Sequence, residues 1–595
     1  MREKPGRLPG DFRIVVGQRR AKLPRTLGAA ALFSACYGNV GSSIYYALGV
    51  TAAFALGLTP LALILAGLIF VTTALNYAEG TAAIPHAGGS SSFARRAFNV
   101  PIGFIVGWVQ LLNYTATVSI SSYFAIGYLG IFGRYLPALH HLTDPHAHAL
   151  AAVGLTGLLV AVNIIGIQES SFLNFALAVL DLVTQVALVL LGLLFLLNIH
   201  RVLSNIHLGV APKWGTFLAS ISIAMVSYTG IETISNLAEE ARNPARSVPR
   251  ATFGVIAAVL FVSAFLPTIG MSVFPVEQIG GHYTTALATT YKDDPVAGIV
   301  SFFPQPGLAY WAGVWVGILA FTILVIATNA GLIGISRLSY SLASADLFPK
   351  AFAKLHPRFR TPYVAIIVFG FGAALIILPA QIDFMAAVYS LAATFAFATA
   401  HLAVMRLRFV APRLRRPFEM PINIPIKGGK IPVLSVVGAL AIGSVFTQLI
   451  FQNISNSTFA YFGWLLLGVA IFIAYRRLRG EPIWEPLETA PHEVGRGVPP
   501  GGARPSSERV HIRRHHAAPA GKEPARTRAP VTGPIRAPRS LRSWLILAVA
   551  AIVGAAAVAL DLSRLDPTGP AIGWSPGVIL VAGLLAWLAI PRDRR

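Results

Sequence analysis

The chain is predicted to be an all-α polytopic membrane protein, and three observations predict it. Of its 595 residues, 55% are hydrophobic and only 12% are charged; a soluble protein carries about twice that share of charge. Its apolar residues fall into runs of roughly 20 or more, the length a helix needs to cross a bilayer. Two of these runs are interrupted by glycines and small polar residues, at Gly38-Asn39-Val40-Gly41-Ser42-Ser43 and at Tyr228-Thr229-Gly230-Ile231-Glu232. Such breaks are tolerated in lipid only where the freed backbone faces protein or a water-filled cavity.

The elements follow in order. Residues 1–26 hold eight Lys or Arg and no long apolar stretch, so they read as a basic cytoplasmic tail rather than a secretory signal peptide. Residues 27–477 hold twelve predicted spans, at about 27–55, 60–84, 101–131, 149–167, 171–198, 215–238, 249–273, 310–342, 363–379, 384–406, 432–451 and 457–475. Composition then shifts. Residues 478–541 are rich in Arg, Gly and Ala, with eleven prolines between 480 and 540, and read as a disordered cytoplasmic linker. Two further apolar runs, at about 543–561 and 573–590, make residues 542–595 a C-terminal membrane hairpin.

A net charge of +23 invites a nucleic-acid partner, but its distribution argues for a lipid bilayer instead. With the N-terminus placed inside, all of the 47 Lys and Arg except Arg134, Arg201, Lys213, Lys292 and Arg564 fall on the cytoplasmic side. That is the positive-inside rule; it puts both termini in the cytoplasm, and a plasma-membrane location is expected. The one cysteine, Cys36, excludes an internal disulfide. No HExxH, Walker A, GxSxG or paired-cysteine pattern is present, so no enzyme activity and no cofactor are expected. The outer loop with His140, His141, Asp144, His146 and His148 fits no closed zinc spacing and reads as a solvated loop. His511, His515 and His516 lie in a polybasic stretch suited to the inner leaflet.

An interrupted helix ends one half and begins another, presenting free N–H groups and a positive dipole end. Gly41, Ser42 and Ser43 would offer N–H groups to a carboxylate. Carbonyls near Cys36 and Tyr37 would face an ammonium or another cation. Ordinary close helix packing is the competing explanation of the same glycines. Two breaks five segments apart point to a substrate site between inverted repeats of a secondary transporter.

The segment Gly38-Asn39-Val40-Gly41-Ser42-Ser43-Ile44-Tyr45 resembles the GxIGSGIF-type motif of the amino acid–polyamine–organocation (APC) superfamily of permeases. Tyr77-Ala78-Glu79 with Pro85-His86-Ala87-Gly88-Gly89 and Arg95-Arg96-Ala97-Phe98 is similar to that family's second-helix and loop signature. Tyr228-Thr229-Gly230-Ile231-Glu232, Ala238-Glu239-Glu240-Ala241-Arg242-Asn243-Pro244 and Val248-Pro249-Arg250-Ala251 resemble its sixth-helix signature. Ser336-Arg337 and His356-Pro357-Arg358-Phe359-Arg360-Thr361-Pro362 resemble the eighth helix and the loop after it. The resemblance implies a five-plus-five inverted-repeat (LeuT-like) fold with helices one and six broken. It also implies α-amino acid binding, with the carboxylate at Gly41, Ser42 and Ser43 and the ammonium at carbonyls of Ser227, Tyr228 and Thr229. Cys36, Tyr37, Gly38, Asn39 and Gly230 would line the same site. Ser43 stands where the family usually has glycine, and Val226 where several members place an aromatic gate.

Asp181 lies about ten residues into the fifth span, roughly 15 Å deep at 1.5 Å per residue. A carboxylate there is costly unless paired, protonated or hydrated. It is a candidate for proton coupling, or for cation coordination with helix-one carbonyls and hydroxyls near Thr328; a structural hydrogen bond is the alternative. In the resemblance, some family members have a lysine at this position. Glu79 is expected to pair with Arg95, Arg96 or another loop charge, and Glu232 to orient the broken segment; both are structural expectations. Asn113 either faces the pocket or bonds a neighbouring helix.

The leading expectation is a proton- or ion-coupled permease for amino acids or related small amines, working by alternating access. Val226 and the absence of other charge at the breaks favour a neutral side chain on the substrate. A second reading is an inorganic cation carrier, because Leu112-Asn113-Tyr114-Thr115-Ala116-Thr117-Val118-Ser119 also resembles KUP-type potassium importers. Those place acids at the positions aligned with Asn39 and Asn113, and both are asparagine here. A third is a transporter-derived sensor or scaffold signalling through residues 480–540. The sequence leaves oligomeric state open.

Overall fold

A backbone in lipid must satisfy its own polar groups, and the apolar runs accordingly fold as helices. In the computed structural model the described residues are 25 and 27–484, apart from 135–140, 143, 167–170, 208, 427 and 453–455. Most of the predicted tail, nearly all of the linker and both C-terminal spans (543–561 and 573–590) lie outside them.

The elements are α1 (Ala29–Val40), α2 (Ile44–Ala55), α3 (Thr59–Ala83), α4 (Ser90–Ala97), α5 (Val100–Gly130), α6 (Pro145–Ile165), α7 (Ser171–Phe195), α8 (Ile199–Ser204), α9 (Trp214–Ala224), α10 (Thr233–Asn236) and α11 (Pro244–Val273). A hairpin of β1 (Val276–Ile279) and β2 (His282–Thr285) follows, closed by Gly280 and Gly281. Then come α12 (Pro295–Val300), α13 (Pro306–Ser344), α14 (Tyr363–Ile377) and α15 (Ile382–Val410). A second hairpin, β3 (Asn423–Ile426) with β4 (Gly429–Pro432), precedes α16 (Val433–Gln452) and α17 (Asn456–Leu478).

Among the described residues, ten helical stretches are long and apolar enough to cross a membrane. The first, Ala29–Ala83, breaks at Leu56, where φ is +48°, into one pass by α1–α2 and another by α3. With the 15-residue α14 these make the twelve predicted spans of a multi-pass membrane protein. The ends agree with the sequence reading to within a few residues. The largest difference is at α11, which starts at Pro244, five residues before the apolar run, because Asn243-Pro244 begins the helix ahead of it. The two hairpins were not expected from the sequence.

The hydrophobic effect does little to join helices already in lipid; packing and interhelical hydrogen bonds, averaging about 0.6 kcal/mol each, hold them. Helix α5 sits at the centre, buried along nearly its whole length and packed against α4, α6, α13, α14, α15 and α17. Asn99 caps it by accepting from the Ile102 N–H at 3.0 Å. Trp108 of α5 and Trp464 of α17 stack at 4.4 Å, each indole N–H donating to the other's backbone carbonyl at 2.7 and 3.0 Å. Large side chains such as Leu158, Leu194, Trp311, Phe371 and Leu466 stand exposed on the outer helix faces, as a lipid-facing surface requires.

Candidate functional site

The two interruptions meet, but they are built differently. Between α1 and α2, residues Gly41–Ser43 form one 3-10 turn with helical dihedrals throughout. The Gly41 N–H donates to the Tyr37 carbonyl, so this N–H, expected free for a substrate carboxylate, is already paired. Glycine at 41 has a local reason: a Cβ there would fall 2.6 Å from the Tyr37 ring. The Ser42 hydroxyl donates to the Asn39 carbonyl (3.1 Å), and Ser43 Oγ lies 2.8 Å from the Tyr46 hydroxyl. A Cβ at Gly38 would meet Ile323 and Ile326 of α13 only at ordinary contact distance.

The second interruption is a true unwinding. After α9 a 3-10 turn, Met225–Tyr228, leads into an extended Thr229 (ψ 152°) and Gly230 with φ +109° before α10 begins. The turns at 41–43 and 225–228 pack against each other. Cys36 of α1 points its thiol at the Gly230 carbonyl, 3.8 Å away, and Asn39 donates to Thr233 Oγ1 at 2.9 Å. Val226 and Ser227 are buried, and the Thr229 hydroxyl returns to the Val226 carbonyl at 2.8 Å. The Tyr228 side chain turns away, donating to the Leu63 carbonyl at 2.6 Å and stacking on Phe70.

Glu232 closes the unwound loop. One carboxylate oxygen accepts the Gly230 N–H at 3.1 Å; the other accepts Asn113 Nδ2 at 2.7 Å and Gln110 Nε2 at 3.3 Å. Asn113 therefore belongs to this cluster, and its amide bonds the neighbouring segment.

Asp181 of α7 is fully buried and stands beside the first interruption. It accepts the Tyr45 hydroxyl at 2.8 Å on one oxygen, and the Tyr37 hydroxyl at 3.1 Å and Gln185 Nε2 at 2.8 Å on the other. Gln185 also reaches the Gly41 carbonyl at 3.4 Å. Thr328 is engaged elsewhere. It bonds the Leu324 carbonyl at 2.9 Å and lies 3.4 Å from Ser122 Oγ, and none of these partners is shared with Asp181. No group of three or more His, Cys, Asp or Glu that could hold a metal occurs among the described residues.

Glu79 is buried at the opposite end of α3 from Leu63 and pairs with Arg408 of α15, and a loop charge also reaches it, Arg416 at 3.8 Å. The Arg408 guanidinium grips both carboxylate oxygens, at 2.8 and 2.5 Å, and the Met420 N–H adds a third bond at 2.9 Å. Gln110, Gln185, Tyr45 and Arg408 were not singled out in the sequence. Two carried a usable signal, an amide three or four residues from another polar side chain inside an apolar run, as Gln110 is from Asn113 and Gln185 from Asp181.

The architecture defines a polytopic helical membrane protein whose first and sixth spans break opposite each other in a buried polar core. Its sequence places it further. Residues 27–474 match the model of the amino acid permease family, and the chain belongs to that family, within the APC superfamily. It is similar to the branched-chain amino acid permease BcaP of Bacillus subtilis (strain 168), 26% identical over 76% of this chain and 94% of that one. It also matches the low-affinity putrescine importer PlaP of Escherichia coli (strain K12), 24% identical over 68% and 84%. Cationic amino acid transporter 4 of Mus musculus is 26% identical over 62% of this chain and 58% of its own length.

Proposed function

We propose that this protein is a secondary active transporter of amino acids or related small amines, resident in the plasma membrane with both termini cytoplasmic. The observation that carries the reading is the buried meeting of the two interruptions, the 3-10 turn 41–43 packing on the turn 225–228 and the unwound Gly230 on Cys36 and Asn39 of α1. Backbone groups released in a membrane core are tolerated where they face protein or a cavity, and paired helix breaks of this kind hold the substrate in secondary transporters. The substrate carboxylate would take N–H groups at Ser42 and Ser43, and its ammonium the carbonyls near Ser227 to Thr229. The cargoes for which BcaP, PlaP and cationic amino acid transporter 4 are named support the same class.

Ion pairs at both ends of this polar core support an alternating-access mechanism. Lys292 meets Asp383 at 2.9 Å at the end reached by the β1–β2 connection. Glu240 meets Arg337 at 2.8 Å at the other. Substrate binding biases the opening of one set against the other. Asp181 is the coupling group: its carboxylate bonds Tyr37 before the first interruption and Tyr45 after it, so its protonation would alter both halves together.

Uptake by purified protein in liposomes tests the proposal, offering labelled amino acids, amines and a potassium analogue with and without an inward proton gradient. Gradient-stimulated uptake of an amino acid or amine is the expected result. Uptake of the cation alone, indifferent to amino acids and amines, would move the protein to the potassium-carrier reading.

A further inference from the structure

We propose that the β3–β4 hairpin and the loop before it form a docking surface for the anionic lipid headgroups of the inner leaflet. Ile422, Ile424 and Ile426 would seat at the boundary between headgroups and acyl chains, and Arg413 and Arg415 would hold the lipid phosphates. The inference goes beyond the transport reading and takes from it only the cytoplasmic side of this connection.

Residues 411–432 join the end of α15 to the start of α16. A two-stranded hairpin alone is marginal in water, and this one is tied to the spans beside it. On one face Asn423 accepts from the Arg408 guanidinium and donates to the Met420 carbonyl at 2.8 Å. The Met420 N–H in turn reaches Glu79. At the hairpin's turn, a Cβ on Gly429 would fall 2.8 Å from the Phe409 ring, so the hairpin folds back onto the last turn of α15. Earlier in the loop, Phe418 meets Phe253 edge-on, with ring centres 5.9 Å apart. Phe253 is exposed on the outer flank of α11, within its apolar run. The connection therefore lies along the ends of two spans, where the bilayer begins, rather than out in the cytoplasm.

Its free face has the chemistry of that boundary. Side chains alternate across a strand, so Ile424 and Ile426 share the face opposite Asn423, and Ile431 stands across from Ile424 in register. Ile422, Ile424 and Ile426 are 61%, 53% and 42% exposed. Three isoleucines in five residues would stand in water in an ordinary loop; an interfacial segment buries them beside its cations. Lys430 is balanced by Glu419 at 3.0 Å, and Arg416 turns inward onto the carbonyls of Leu407, Ala411 and Leu414. Arg413 and Arg415 are exposed, and no ion pair among the described residues reaches either. A guanidinium suits a phosphate through paired N–H donors, and the cytoplasmic leaflet carries the anionic headgroups. Charge disfavours the other occupants. The chain's own segment after 478 is itself rich in Arg, and a second copy meeting through this face would set Arg against Arg.

The experiment uses full-length protein in liposomes. The one native cysteine, Cys36, is buried, so Ile424→Cys takes an environment-sensitive fluorophore selectively. In phosphatidylglycerol vesicles, nitroxide-labelled lipid should quench this fluorophore, and iodide should reach it at least threefold less than on the unfolded protein. The lipid quenching should fall at least twofold in phosphatidylcholine, and equally in phosphatidylglycerol when Arg413→Gln and Arg415→Gln are added. The same pair of substitutions should remove most of the thermal stabilisation that phosphatidylglycerol gives the detergent-solubilised protein over phosphatidylcholine. Both arginines are exposed, so this variant is expected to fold. An iodide-accessible label that lipid nitroxide does not quench would overturn the docking surface. Equal quenching in the two lipids would leave an apolar anchor and overturn the headgroup assignment. Disulfide-linked dimers of unlabelled Ile424→Cys, formed in place of lipid contact, would give the face to a second copy. No arm reads transport, so each of these failures leaves the permease reading standing.

Discussion

Asn39 lies flat against Gly230: a Cβ built on Gly230 would fall 2.9 Å from both Cγ and Nδ2 of Asn39. This contact joins the first interrupted span to the sixth, and Gly230 permits it twice over, by lacking a side chain and by holding φ at +109°. A non-glycine residue in that region costs about 1–3 kcal/mol, before Asn39 is displaced. Gly230→Ala is therefore expected to lower the thermal midpoint of the detergent-solubilised protein and to reduce uptake at least tenfold. An unchanged midpoint would mean that the loop relaxes and the contact is dispensable.

The Glu79–Arg408 pair tests a different kind of coupling, between helices α3 and α15. Both side chains are buried, at 1% and 3% exposure. Removing one partner of a buried pair costs about 3–5 kcal/mol, whereas replacing both with apolar residues is often near neutral; here Arg416, 3.8 Å from Glu79, offsets part of the loss of Arg408. Arg408→Met alone should destabilise strongly, and Glu79→Met with Arg408→Met should recover much of the loss. Chemical or thermal unfolding of the three variants reads the difference directly. Equal destabilisation of single and double variants would assign the stability to packing instead.

Sequence and structure agree where a signal is local and repeated. Some twenty consecutive apolar residues announce a span whatever they pack against, which is why α3, α5 and α13 were legible nearly to their ends. Partners distant in sequence leave no such trace: Glu79 and Arg408 are 329 positions apart, and nearer loop arginines were the natural guess. The four family-like segments were legible as motifs, and the fold explains their company. Ala87 and Gly88 donate to Glu239 and Asn236, and Arg337 pairs with Glu240, so three of the segments form one end of the molecule. The first interruption was read as an opening because glycine and serine are poor helix formers. Three residues of 3-10 turn suffice to keep the chain helical there, and Gly41 serves the Tyr37 ring. At the second, the extended Thr229 and positive-φ Gly230 break the helix outright.

Asp293 gives a pH dependence with a definite sign. It lies in the connection between β2 and α12, where burial pushes its carboxyl above the usual carboxylate range, against the pull of His148 and Lys292 in the other direction. A raised pKa means that the folded state holds the proton more tightly than the unfolded one. Stability from this group is then present below the unfolded value, about 3.9, and is lost as pH rises through the folded one. Asp293→Asn should accordingly raise the thermal midpoint at pH 7 and lose that advantage near pH 4. A midpoint that falls on substitution at pH 7 would show that Lys292 and His148 more than offset the burial.

Asp181 holds the first interrupted span at two points, Tyr37 one turn before the 3-10 segment and Tyr45 just after it. If the carboxylate only staples the two halves, its charge is incidental, and an amide oxygen accepting one hydroxyl would preserve most of the function. If it takes up the coupling proton, substitution should separate two activities that a structural role cannot separate. Asp181→Asn is expected to keep substrate exchange across the membrane while gradient-driven accumulation falls at least tenfold. Tyr45→Phe should weaken both in parallel, since it loosens the staple and leaves the carboxyl. Counterflow and proton-driven uptake, measured side by side in liposomes, distinguish these outcomes. Accumulation by Asp181→Asn at the wild-type level would make the residue a staple alone and place the coupling group elsewhere in the polar core.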